Sequence, residues 1–133
     1  MRTKLIATVT GLALMASPAL AHHSFAMFDN SKVLTLEGVV KEFQWTNPHT
    51  WTQLLVRNDQ GLTEEWGIEG SSINGLAREG WKRTSLKPGD KVTVTIHPLK
   101  SGEKGGSFMT ATLPDGTVLS GAPGSTGPSQ TGN

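Results

Sequence analysis

Apolar and polar residues alternate with a period of two through most of the chain between Val33 and Leu119, which is the periodicity of half-buried strands. In the first run, Val33 to Phe43, Leu34 and Leu36 share one parity while Val39 and Phe43 share the other. The switch falls at Gly38, so a bulge or sharp bend is predicted there, letting one long strand serve two sheets. Trp45-Thr-Asn-Pro-His49 reads as a turn, with Pro48 fixing φ and Asn47 disfavoured in helix. A second strand is predicted over His49–Arg57, where Thr50, Thr52, Leu54 and Val56 alternate with Trp51, Gln53 and Leu55. Asn58-Asp-Gln-Gly61 makes a hairpin turn into a third strand, Leu62–Glu69, with Glu64, Trp66 and Ile68 on one parity.

Gly70-Ser71-Ser72 then supplies an N-cap for a short helix over Ile73–Glu79, ended by Gly80 and weakened by Gly75. Leu86-Lys-Pro-Gly-Asp90 turns into a fourth strand, Lys91–His97, with Val92, Val94 and Ile96 inward and Thr93, Thr95 and His97 on the other face. Residues 100–106 (KSGEKGG) read as a flexible connection, Ser107–Leu113 as a fifth strand, and Pro114-Asp-Gly116 as a turn into the short Thr117–Leu119. Three meandering strands, a short helix and two further strands give a mainly β fold. That order matches a small five-stranded OB-like Greek-key barrel, with an open β-sandwich as the alternative.

The two ends depart from this pattern. Arg2 and Lys4 precede an apolar stretch, Leu5 to Met15, followed by Ser17-Pro18 and the small-x-small site Ala19-Leu20-Ala21. These are the parts of a secretory signal over residues 1–21, cleaved after Ala21. The apolar stretch falls short of the roughly 20 residues needed to span a bilayer, so no membrane anchor is expected after cleavage. The expectation is a periplasmic product with one domain over residues 22–119 and a disordered Gly/Ser/Pro-rich tail over 120–133. The whole chain carries twelve Lys and Arg against eleven Asp and Glu; losing Arg2 and Lys4 leaves ten against eleven, a charge of −1. That balance gives no electrostatic reason to expect a nucleic-acid partner. The absence of cysteine excludes disulfides, thiolate metal sites and a cysteine nucleophile.

His22-His-Ser-Phe-Ala-Met-Phe-Asp29, Leu36-x-Gly38, Asn47-Pro-His49, Trp66 and Leu86-x-Pro-Gly-Asp90 together resemble a bacterial family of small exported proteins of unknown function. The similarity runs from about Ala21 to Leu119. It implies export and a small β domain, and it brings no activity or catalytic residue with it.

The candidate chemistry lies in four histidines. Cleavage after Ala21 would leave His22 with two nitrogen donors, its α-amine and ring Nδ1, able to chelate copper. An imidazole from His23, His49 or His97 would complete a three-nitrogen histidine brace, and nitrogen donors suit Cu(II). His22 and His23 could instead pair on Zn(II) or Cu(I). The plainer readings are a solvated N-terminus, a loop-bracing His49 and a strand-end His97. Among the four tryptophans, Trp51 and Trp66 are the candidates for a ligand face toward a peptide, glycan or envelope protein, although tryptophans are needed first as core. Ser24 and Asp29 lack a nucleophile elbow, and Glu64 and Glu65 point to opposite strand faces, so Glu64, Glu65 and Glu69 read as a solvated face. The sequence therefore points to a non-enzymatic binding module for copper or another transition metal. An aromatic interaction module is the alternative, and a copper-dependent oxidative enzyme stands third.

Overall fold

The structure, a computed structural model, describes residues 25–121. The expected signal sequence over residues 1–21, His22 and His23, and residues 122–133 of the expected tail lie outside the described residues. A 3-10 turn, Phe25–Met27, leads into β1 (Leu34–Gln44), β2 (Trp51–Arg57), β3 (Thr63–Glu69), helix α1 (Ile73–Arg78), β4 (Lys91–Pro98), β5 (Gly105–Thr112) and β6 (Val118–Ser120). The strands form one sheet in the order β3-β2-β1-β4-β5-β6, and a parallel pairing of β3 with β5 closes the first five into a barrel. This closure distinguishes the fold from an open sandwich and makes it a small OB-like barrel.

β1 holds the barrel together because it is shared. Leu34 to Val39 pair with β4, while Gly38 to Gln44 pair with β2, so the strand passes from one partner to the other at Gly38 and Val39. The bulge expected at Gly38 occurs between Val40 and Glu42 instead, where the register with β2 slips by one residue. Gly38 has a different job. A Cβ there would lie 2.6 Å from Leu55 O and 2.8 Å from Leu54 Cγ, so only glycine lets β1 cross this closely over β2. The bulge places Leu36 and Val40 in the core and, on the shifted parity, Phe43 against its edge.

Ser72 caps α1 through its hydroxyl, which accepts from Gly75 N. The helix and the turn after it fill one end of the barrel with Leu76, Trp81 and Leu86. Trp81 meets Phe108 edge-on at 5.3 Å and Phe43 at 5.9 Å, and its Nε1–H donates to Ser120 O at 2.7 Å. β6 runs to Ser120, which pairs with Thr110 of β5, one residue past the expected strand end at Leu119.

The glycines of the expected flexible stretch 100–106 are partly strand. Gly105 and Gly106 begin β5 and pair with Gly67 and Ile68 of β3. A Cβ on Gly105 would lie 2.9 Å from Gly67 O, and one on Gly106 would lie 2.4 Å from His97 O. Closing the barrel needs backbones at this separation, and local composition alone reads as a loop.

Candidate functional site

The closure of the barrel lines up four residues on its outer surface. Trp51 of β2 pairs with Glu69 of β3, Glu69 with Ser107 of β5, and Ser107 with His97 of β4. Opposed residues on paired strands point to the same side, and neighbouring strands lie about 4.8 Å apart. This cross-strand row would be solvated on a bare barrel. Here two segments cover it: the turn before β2, with Pro48 and His49, and the strap over residues 25–32 that precedes β1.

A cavity of about 370 Å3 lies between these elements, bounded by Phe28, Asn30, His49, Glu69, His97 and Phe108 among others. Its volume is in the range of small-ligand sites, and its walls combine apolar rings with a few convergent polar groups. His49 and His97, which sequence could only name separately, are thus brought to one cavity. Glu69 is 7% exposed although it belongs to the outward parity of β3.

Each imidazole is fixed through the same nitrogen. His97 Nδ1 lies 2.8 Å from Lys32 O, in the strap. His49 Nδ1 lies 3.3 Å from Gly70 O and 3.3 Å from Glu69 Oε1. A backbone carbonyl can only accept, so in both rings Nδ1 carries the hydrogen and donates it. In a neutral ring that tautomer leaves the lone pair on Nε2. This is the arrangement in which metal-ligating histidines are held, with the second nitrogen donating to a carbonyl or carboxylate. Among the described residues, no three His, Asp or Glu side chains stand close enough together to hold a metal ion.

The strap is anchored along its length. Asp29 N–H donates to Pro98 O, Lys100 N–H donates to Met27 O, and Phe28 forms a bridge with Leu99 and is buried. Asp29 closes the turn before β1. The Ser31 hydroxyl and then Lys32 hydrogen-bond to its carboxyl and hold its pKa down to about 2.

The other candidates are dispersed. Trp51 is half-buried on the outer row, whereas Trp66 is 9% exposed and belongs to the core, with Lys104 Nζ 5.3 Å from its ring centroid. The two tryptophans therefore do not share a face. Glu65 is exposed and pairs with Lys41, and Glu64 binds Asn58 and Lys104. The Asn58 hydrogen bond, followed by Lys104, lowers the pKa of Glu64. Glu69, expected with Glu64 and Glu65 on a solvated face, is instead buried. Its burial depends on the long-range registers of β2 and β5 with β3, for which no local pattern is a signal.

The chain belongs to a family of unknown function, DUF6152, whose family model matches residues 9–108. That span takes in all four histidines and Glu69. No curated protein and no solved structure matches the chain.

Proposed function

We propose that this protein is an exported, periplasmic binding module that takes up a transition-metal ion, copper foremost, at the His49–Glu69–His97 cavity. The mature N-terminal His22 contributes its amine and ring nitrogen, and His23 stands beside it. The observation that carries this reading is the common tethering of His49 and His97, each with Nδ1 against a backbone carbonyl, which leaves Nε2 as the free nitrogen of the neutral ring.

Two imidazoles are too few for a tight site, and the lead-in supplies the remaining donors. Phe28 lines the cavity, and His22 lies six positions before it in the chain. At about 3.3–3.6 Å per residue, the amine can reach up to roughly 20 Å from Phe28. Imidazole and amine donors favour Cu(II) over other first-row divalent ions. The α-amine, with an ordinary pKa of about 8, gives up its proton readily near neutrality.

The reading is tested by titrating the mature protein with Cu(II) by calorimetry alongside His49→Ala and His97→Ala. The expected result is one ion per chain, with affinity falling at least tenfold in each variant. Unchanged affinity in both variants would remove the cavity from the site. A second reading, an interaction module for a glycan or peptide segment, is favoured by the position of Trp51 at the end of the same row. OB barrels bind extended ligands at the β1–β2 and β4–β5 loops, and the β1–β2 loop lines this cavity through Pro48 and His49. It would show as ligand-dependent quenching that Trp51→Ala abolishes and metal does not affect.

A further inference from the structure

We infer that the cavity between the strap and the turn before β2 receives an alkylammonium group, with the Glu69 carboxylate as its counter-charge. The inference does not use the metal reading. It rests on the second reading, an interaction module, and names the group that such a module reads. Glu69 has the outward parity of β3, yet its side chain is 8% exposed and lines the cavity. Among the described residues, no N–H or O–H donates a hydrogen bond to its carboxylate. Its ion-pair contact is with His49, whose Nδ1 lies 3.3 Å from Oε1 and whose ring is charged only when protonated. The hydrogen on that nitrogen is already directed to Gly70 O. A carboxylate buried to this degree destabilises a fold unless charge and hydrogen bonds compensate it.

The walls decide what can supply that compensation. Among the described residues that bound the cavity, Glu69 is the one carboxylate, and none is lysine or arginine. Lys32 of the strap is engaged by Asp29 at 3.1 Å instead. Where the imidazoles are neutral, the lining therefore carries a single negative charge. An anionic ligand would be repelled, and a neutral one would leave the carboxylate uncompensated. A metal ion needs more donors than the described residues group together, whereas an ammonium brings three N–H donors of its own on an apolar stem. Phe28 and Phe108 both line the cavity, and aromatic rings accommodate a cation at their faces and an alkyl stem by apolar contact. The volume of about 370 Å3 is at the small end of ligand sites, which suits a group the size of a lysine side chain.

The test titrates the protein, freed of metal by a chelator, with a blocked Gly-Lys-Gly peptide, the same peptide acetylated on the lysine amine, and n-butylammonium. At pH 8 imidazoles are neutral, while a lysine amine with its ordinary pKa of about 10.4 is charged. The readout is the 1H–15N shift of the Gly70 and Ser107 amides. The lysine peptide is expected to shift both saturably, and acetylation or Glu69→Gln should each weaken binding at least about tenfold, the loss of one charge-assisted contact. Butylammonium binding as tightly as the peptide would support a free amine as the ligand; tighter peptide binding would support a lysine of a protein partner. The absence of saturable shifts, or equal affinity for the charged and acetylated peptides, would overturn the inference, as would unchanged affinity in Glu69→Gln. Peptide binding that needs Trp51 but is indifferent to Glu69 and to acetylation would leave the interaction module standing and remove this inference alone.

Discussion

Gly106 is the position where barrel closure and the candidate site depend on the same atoms. It pairs with Ile68 of β3 on one side and Pro98 of β4 on the other. An alanine methyl there would sit 2.4 Å from His97 O and 2.8 Å from Ile96 Cδ1. The carbonyl belongs to the backbone of β4, so it yields only if His97 moves with it. Overpacking of this kind destabilises by about 1–3 kcal/mol. The alanine also restricts the unfolded chain, returning about 0.4–1 kcal/mol. A net loss of about 1–2 kcal/mol is expected for Gly106→Ala, lowering Tm by roughly 4–16 °C in a domain of this size. Gly67, on the same seam, is the control, since a Cβ there would meet only the Gln53 side-chain amide, Oε1 at 3.6 Å and Nε2 at 3.9 Å. For Gly67→Ala the unfolded-state term dominates, and stability should rise by about 0.4–1 kcal/mol. Urea denaturation of both variants, followed by tryptophan fluorescence, measures the difference. Free energies agreeing within about 0.5 kcal/mol would refute the claim that close backbone approach, rather than flexibility, explains the glycines of the seam.

Trp81→Phe keeps an aromatic ring between Phe43 and Phe108 but removes the donor to Ser120 O, so a loss of about 0.5–1.5 kcal/mol is expected. Trp81→Ala should lose about 3–5 kcal/mol in the same denaturation assay, and equal losses in the two variants would mean the ring packing is unimportant. Asp29 governs the strap's acid sensitivity. Its folded pKa of about 2 lies below the ordinary 3.8, so its contribution is fully present above pH 3.8 and is lost as pH falls toward 2. Protection of the Lys32 and Lys100 amides, taken relative to their intrinsic exchange rates, should fall across that interval in the wild type, and Asp29→Asn should show the reduced protection already at neutral pH.

The parity of Val92, Val94 and Ile96, the Ser72 cap and the order of strands around α1 all follow from local rules, and all of them are in the structure. The parity break in β1 was also legible, but its placement was not. Gly38 looks locally like a bulge residue, and only the approach of Leu54 and Leu55 from β2 shows that it is a crossing point. Gly105 and Gly106 fail in the same way: their strand partner lies 38 residues away in Gly67 and Ile68. His49 and His97 could be picked out by residue type. Their common cavity, the burial of Glu69 and the separation of Trp66 from Trp51 all depend on how β2, β3 and β5 register. Period-two alternation sets which face a residue occupies and leaves open what will cover that face.

The central claim is that the mature N-terminus and the His49–His97 cavity bind one transition-metal ion together. The most direct test is a Cu(II) titration of the protein expressed in bacteria with residues 1–21 in place, its N-terminus established by intact mass, beside a form carrying one extra residue ahead of His22. The account predicts a chain that begins at His22, tight one-to-one binding, and a loss of at least tenfold in affinity when the added residue converts the amine to an amide. Equal affinity in the two forms, or binding that survives removal of both His49 and His97, would contradict it.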